Sequence, residues 1–313
     1  MGQNYIVFHN ERSTRSQQFD ELVVNPLQTY LAKYEGHATY YMVKPKFDDT
    51  MKYVAKLVRD GDTVIAAGGD GTLSAVFNGL VKSGKSVDLI IMPLGKCDDL
   101  IASLGGREKF SDLAKLIKTP GQEYYALEAL INDRYFYWAL HEWGVGHLAN
   151  IGVWLDEKSR AAKIEGKKFS TLPIAFNYYR QRAIPWPDAD LPTYTDEHGR
   201  EQKHSAIQFM LGRIGGAWWP RVDGKLTKSL HSVNGLAVVT ANITGRPLVD
   251  VPTIINWTLR GLPARRVKFA RFTFAKPIKK INVMVDGENF NVKNMRSLST
   301  RRVATKVKLH LLK

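Results

Sequence analysis

The run Val64-Ile65-Ala66-Ala67 reads as a buried strand, and it passes directly into Gly68-Gly69-Asp70-Gly71-Thr72 and then Leu73. Three glycines at a strand-to-helix turn let the backbone approach a ligand closely and reach positive φ. Bare N–H groups beside a helix N-terminus make an anion site, and a phosphate group fits that geometry. The spacing is not that of a Walker A loop, which ends in Gly-Lys-Ser/Thr, nor of a Gly-x-Gly-x-x-Gly dinucleotide fingerprint. Asp70 would repel a phosphate unless Mg²⁺ lies between them or the carboxylate takes a proton from a hydroxyl. The competing structural reading is a tight turn with Asp70 capping the helix.

Other segments carry candidate chemistry further along. Pro93-Leu94-Gly95-Lys96-Cys97-Asp98-Asp99-Leu100 follows a fourth strand, Trp143-Gly144-Val145-Gly146 resembles a glycine turn, and Asp223-Gly224-Lys225-Leu226 follows Gly215-Gly216 and Pro220. Val285-Asp286-Gly287-Glu288 comes late in the chain. Taken alone, Asp-Gly is a common turn dipeptide. Together and in this order, with Asn78-Gly79-Leu80 after the first glycine turn, these segments resemble the diacylglycerol kinase catalytic domain family. Its superfamily includes sphingosine and ceramide kinases and, more distantly, NAD kinases.

The resemblance implies an ATP-binding α/β domain followed by a β-sandwich. It implies that Gly68, Gly69, Asp70, Gly71 and Thr72 hold the phosphates, assisted by Asn10, Gly95, Lys96 and Asp99. It places Asp286 and Glu288 in catalysis with Asp70, Glu288 being preferred as the base that deprotonates a lipid hydroxyl. Asp223, with backbone near Lys225, matches a structural Mg²⁺ site. The expected cofactors are ATP and Mg²⁺, and the expected reaction is phosphorylation of diacylglycerol or a related long-chain lipid. The pattern also departs from the family. The first strand runs into Asn10-Glu11-Arg12-Ser13 in place of Asn-Pro-x-Ser-Gly, Val43 stands where a nucleotide-contacting Thr is common, and Lys96 and Asp98 replace a hydroxyl and an amide. Those last two changes motivate an alternative, a catalytically weak relative that binds nucleotide or lipid. NAD kinase is a second alternative, but it needs an Asn-Glu pair, and the nearest match is Asn132-Asp133 in a hairpin turn.

Positioning such groups requires two kinds of architecture. Up to about residue 118, strand-like runs alternate with amphipathic helical ones: Tyr5–Phe8, Ser16–Tyr34, Ala38–Val43, Asp49–Arg59, Thr63–Ala67, Thr72–Lys82, Asp88–Pro93 and Phe110–Lys118. This alternation implies a parallel sheet covered by helices. The rhythm changes near Thr119-Pro120-Gly121. Tyr124–Ile131 and Tyr135–Glu142 flank Asn132-Asp133-Arg134 as a hairpin. Later strands are expected at Ile207–Leu211, Gly235–Thr240, Val267–Phe274 and Ile281–Val285. The predicted fold is thus α/β plus all-β. Residues 1–121 form the nucleotide-binding domain and 122–295 an antiparallel β-sandwich with a helical insertion near 157–182. Residues 296–313 return to the N-terminal domain.

The chain has 313 residues, 44% of them hydrophobic, so each half can bury a core. One cysteine, Cys97, excludes an internal disulfide and a thiolate metal cluster. No run of apolar residues is long enough to span a bilayer, and Met1–Phe8 lacks a signal-peptide core, so a cytoplasmic protein with peripheral membrane contact is expected. The net charge of +15 favours polyanions, and no nucleic-acid motif accompanies it. An anionic membrane surface carrying the lipid substrate is the expected partner, through Lys158–Lys168 and Arg265–Arg271. Exposed strand edges leave a homodimer possible.

Overall fold

The computed structural model describes residues 3–95, 99–146, 149–150, 154, 157–158, 161–162, 165–167, 192–195, 199–204, 206–210, 236–241, 250, 252, 264–267 and 269–312. Its first elements are β1 (Gln3–His9), α1 (Asn25–Leu31), β2 (Gly36–Met42), α2 (Phe47–Leu57), β3 (Thr63–Gly68), α3 (Asp70–Ser83), β4 (Val87–Pro93), α4 (Asp99–Ser103) and α5 (Leu113–Lys118). Strands follow: β5 (Gln122–Ile131), β6 (Arg134–Ala139), β7 (Glu142–Gly146), β8 (Thr193–Thr195), β9 (Glu201–Lys203) and β10 (Ala206–Met210). The last are β11 (Leu236–Ala241), β12 (Ala264–Val267), β13 (Phe269–Val285) and β14 (Glu288–Leu309). Two units emerge. One comprises Met1–Ala126, Trp138–Leu140 and Val303–Lys313, and the other Leu127–Tyr137 and His141–Arg302.

In the first unit, β1 pairs in parallel with β2 and β3, β3 with β4, and β4 with the end of β14. Every residue of β3 is buried, as expected of a parallel strand covered on both faces. Val7, Phe8, Ile65, Phe77, Leu80 and Ile90 are fully buried in its core. Helix α2 presses on α3 at Gly79, where a Cβ would come 2.6 Å from Val54 Cβ and 2.8 Å from the Met51 carbonyl oxygen. Only glycine lets the helices approach so closely. Gly84, at φ 68°, closes α3 in the left-handed conformation that commonly ends helices.

The long helix expected over Ser16–Tyr34 is interrupted. A 3₁₀ turn at Ser16–Gln18 leads to a π-helical turn at Asp20–Val24, and α1 begins only at Asn25. The cause is Pro26, which has no N–H to offer the Leu22 carbonyl. The Asn25 N–H bonds instead to Asp20, five residues back. The helix expected over Phe110–Lys118 also shortens. Arg107–Phe110 is a 3₁₀ turn, and Asp112 caps α5 by accepting the Lys115 N–H at 3.0 Å.

The second unit is antiparallel, in the order β12-β11-β10-β7-β13-β14, with β8 on β13 and β9 on β8. Trp143 is its largest fully buried side chain. Its ring lies 4.7 Å from Phe209, and its Nε1 donates to Thr300 Oγ1 at 3.0 Å. The segment Trp143–Gly146 was expected to be a glycine turn. It is instead the buried strand β7, held between β10 and β13. The burial of Trp143 and Val145 on this strand outweighs the turn preference of the glycines. The strands expected at 267–274 and 281–285 join as one strand, β13, with a register shift between Thr273 and Ile278. Most of the predicted helical insertion at 157–182 lies outside the described residues.

Candidate functional site

The first unit brings three turns together at the C-terminal ends of its strands. After β1, Asn10 donates from Nδ2 to Thr72 Oγ1 at 2.8 Å and accepts the Arg12 N–H at Oδ1, 3.0 Å away. After β3, Gly69 occupies the N-cap of α3 in extended conformation, followed by Asp70, Gly71 and Thr72 in the first helical turn. After β4, Leu94 and Gly95 are buried. The Leu94 N–H donates to the Gly68 carbonyl at 2.9 Å, and the Arg15 N–H to the Leu94 carbonyl at 3.0 Å.

The glycines serve two separate purposes. A Cβ on Gly68 would come 2.6 Å from Thr72 Cβ, so glycine is needed there for internal packing. Among the described residues, a Cβ on Gly69 would meet only the Gly95 Cα, at 3.3 Å. Gly69 and Gly95 thus face one another as bare backbone at the N-terminus of a 14-residue helix. That is a cradle for an anion. Asp70, in the first turn of α3, offers a carboxylate beside it. One carboxylate plus substrate phosphates is a usual way to hold Mg²⁺, so ATP with Mg²⁺ fits the donor set. Among the described residues there is no cluster of three or more metal-ligating side chains.

Arg107 was missed at the sequence level. Its guanidinium donates to the Pro93 carbonyl at 3.0 Å and to the Gly95 carbonyl at 2.7 Å, clamping the third turn. It follows Gly105 and Gly106, both at positive φ, in a stretch with no recognisable motif. Asn78 has a comparable role deeper in the unit. Fully buried, it donates from Nδ2 to the Ser74 and Trp138 carbonyls at 2.9 and 2.7 Å and accepts the Trp138 N–H at 2.9 Å. His9, at the end of β1, stacks on Phe19 with ring centroids 4.4 Å apart. Burial lowers its pKa, partly offset by Glu11 and Asp20.

The second unit holds the other candidates at the turn between β13 and β14. Asp286 and Gly287 both have positive φ, 45° and 84°, forming a tight two-residue reversal. Asp286 is buried, and its Oδ1 accepts the N–H groups of His141 and Glu142 at 2.9 and 3.0 Å. Its own N–H donates to the Glu142 carbonyl at 2.9 Å. Asp286 therefore fixes the turn against the start of β7. Glu288, the first residue of β14, is exposed. Asn132 and Asp133 form the β5–β6 turn at φ 52° and 60°. Asn132 Oδ1 accepts the Arg296 and Ser297 N–H groups, and Asp133 pairs with Arg271 at 2.8 Å. Asn132 and Asp133, the nearest match to the NAD kinase pair, thus both bond within the second unit. Lys96, Asp223 and Lys225 lie outside the described residues, as do Cys97 and Asp98, while Asp99 opens α4.

Residues 4–127 match the diacylglycerol kinase catalytic domain family. A probable lipid kinase of the YegS-like type from Alcanivorax borkumensis is 30% identical over 104 residues, covering 33% of this chain and 34% of that one. A diacylglycerol kinase from Staphylococcus haemolyticus is 39% identical over 82 residues, covering 25% of each chain. The matched segments thus span about a quarter to a third of these relatives' own lengths. Among solved structures, a putative diacylglycerol kinase from Bacillus anthracis superposes with a TM-score of 0.67 at 18% identity, over 99% of this chain and 97% of that one. The overall fold is therefore that of diacylglycerol kinases.

Proposed function

We propose that this chain, whose residues 4–127 match the diacylglycerol kinase catalytic domain family, transfers the γ-phosphoryl group of ATP to the hydroxyl of diacylglycerol or a related long-chain lipid. The observation that carries the reading is the opposed pair Gly69 and Gly95 at the N-terminus of α3. Backbone N–H groups there, with the positive end of the helix, would bind the phosphates. Asp70, in the first turn of α3, would hold Mg²⁺, which would neutralise charge on the transferring group. In the transfer, the bond from the γ-phosphorus to the bridging oxygen breaks and ADP leaves. A new bond forms to the lipid oxygen, and the hydroxyl proton passes to a carboxylate. Glu288 is the better acceptor, being exposed, while Asp286 is tied to two backbone N–H groups and positions the turn.

The test is ADP release from Mg·ATP by the purified protein with diacylglycerol in mixed micelles, against sphingosine, undecaprenol and NAD. Lipid-dependent turnover abolished by Glu288→Gln, with ATP binding retained, is the expected result. Turnover unaffected by that substitution would remove Glu288 from the reaction, and turnover with NAD alone would overturn the lipid reading.

A further inference from the structure

The hairpin that carries Asp286 and Glu288 has an unusual middle. Between residues 276 and 296 it presents five exposed cations, Lys276, Lys279, Lys280, Lys293 and Arg296. The acids in the same span are the buried Asp286 and Glu288, both at the turn. Elsewhere on the hairpin Arg271 pairs with Asp133 and Arg301 with Glu128. Among the described residues, none of the five cations has an acidic partner. Lys280 and Lys293 stand directly opposite one another in the ladder. Opposed like charges destabilise a strand pair, so folding alone does not favour this arrangement.

The backbone displays these side chains openly. Strand β13 is paired on its outer side by β8 at Phe272–Thr273 and by β7 at Val283–Val285. Between those points no described strand covers it. The register shift between Thr273 and Ile278, with Pro277 inside it, lifts this stretch out of regular pairing. On the facing strand, Asn294 at φ 55° makes a second irregularity, held by Asn132 Nδ2 donating to the Asn294 carbonyl at 3.0 Å. Lys280 and Lys293 therefore share one face of the ribbon, Lys279 alternates to the other, and the cations together flank this fixed stretch of the hairpin.

We infer that this stretch, Lys276 to Lys280 with Lys293 and Arg296, docks the protein on an anionic lipid bilayer. The inference rests on the lipid-kinase reading for its orientation, because the same ribbon carries Glu288. Five residues separate Lys280 from Val285, about 17 Å at strand rise, so a bilayer held by the lysines lies within about one strand length of the acceptor carboxylate. Four of the five cations are lysines, compact charges suited to a diffuse headgroup surface. Base-edge readout would favour arginine forks. Of the clusters at 158–168 and 265–271 expected from sequence, Arg160, Lys163, Lys168 and Lys268 lie outside the described residues. Among their described residues, Lys167 pairs with Glu165, Lys158 sits over Trp154, and Arg271 pairs with Asp133.

The test is sedimentation of the full chain with phosphatidylcholine vesicles, with and without phosphatidylglycerol, for the wild type and a Lys276→Gln/Lys279→Gln/Lys280→Gln/Lys293→Gln variant. Each well-placed cation strengthens binding to anionic membranes about fivefold. The variant should lose at least about tenfold in partition onto the anionic vesicles, with the wild type barely binding the neutral ones. Glu288→Gln should bind like wild type. Turnover on a water-soluble short-chain diacylglycerol should survive in the lysine variant, which separates docking from chemistry. If the wild type turns over no acceptor but the lysine variant still loses vesicle binding, the kinase reading fails and the docking surface stands. Unchanged vesicle binding by a folded variant would overturn the inference, as would binding of duplex DNA in preference to anionic vesicles. Self-association of the variant with vesicle binding intact would assign the lysines to edge protection instead and also overturn it.

Discussion

Replacing Gly69 with alanine separates ligand binding from folding at the glycine turn. The new Cβ lies 3.3 Å from the Gly95 Cα, a few tenths of an ångström inside the usual carbon contact of about 3.5–4.0 Å. Gly69 has φ −91°, so alanine meets no backbone strain there. Exchanging glycine for alanine at an N-cap costs about 1 kcal/mol, and this should be most of the loss in stability. The added methyl nevertheless fills the gap where phosphate oxygens would approach the two backbones. Losing one charge-assisted hydrogen bond costs about 1.5–3 kcal/mol, so Mg·ATP affinity should fall by at least about tenfold. Gly68→Ala is the contrasting case. Its Cβ comes 2.6 Å from Thr72 Cβ, about 1 Å too close, against a side chain stiffened by β-branching. That overpacking should cost about 1–3 kcal/mol of stability and disturb the Asn10–Thr72 bond as well. Calorimetric titration with Mg·ATP, alongside urea unfolding without ligand, reads both quantities. If Gly69→Ala binds Mg·ATP as tightly as the wild type, the gap between Gly69 and Gly95 is not the phosphate site and the reasoning fails.

Other perturbations probe the supports of the same unit. Arg107→Ala should weaken Mg·ATP binding beyond its cost in stability, about 2–3 kcal/mol for two lost hydrogen bonds to backbone carbonyls, and equal nucleotide affinity in a folded variant would show the clamp to be irrelevant. Asn78→Ala leaves both Trp138 backbone groups without their side-chain partner. It should destabilise the first unit by about 2–4 kcal/mol and speed hydrogen exchange at the Trp138 amide, while an unaltered exchange rate there would contradict it. His9 has its folded-state pKa lowered from 6.5 chiefly by burial, so the unfolded chain takes up the proton first as pH falls. Its contribution is present above 6.5 and is lost as pH drops through the lower folded value, and an NMR titration midpoint at or above 6.5 would refute this.

Much of the first unit could be read in the sequence because its elements are locally self-consistent. The strand Val64–Ala67 is wholly apolar and buried on both faces, and Gly68 after it stands where only a bare backbone fits. The second unit was harder to read. Strand β14, 22 residues long, is made mostly of charged and polar residues with apolar ones irregularly interspersed, and was legible only as a returning tail. Its strand character comes from pairing with β13, β5 and β4, partners far away in sequence.

By itself the sequence determined the order of elements, the glycine turn and the presence of acidic groups at residues 70, 286 and 288. Periodicity, turn chemistry and motif order are properties of short segments, so a single chain displays them. The tertiary structure alone decided what those groups do to one another. It set Gly95 against Gly69, supplied Arg107 as the clamp on that turn, and tied Asp286 to β7 so that Glu288 is the exposed carboxylate. It also left five cations of one hairpin without acidic partners among the described residues. Hydrogen bonds to backbone carbonyls and the absence of a neighbouring strand have no local sequence signature, because the groups concerned come from distant parts of the chain.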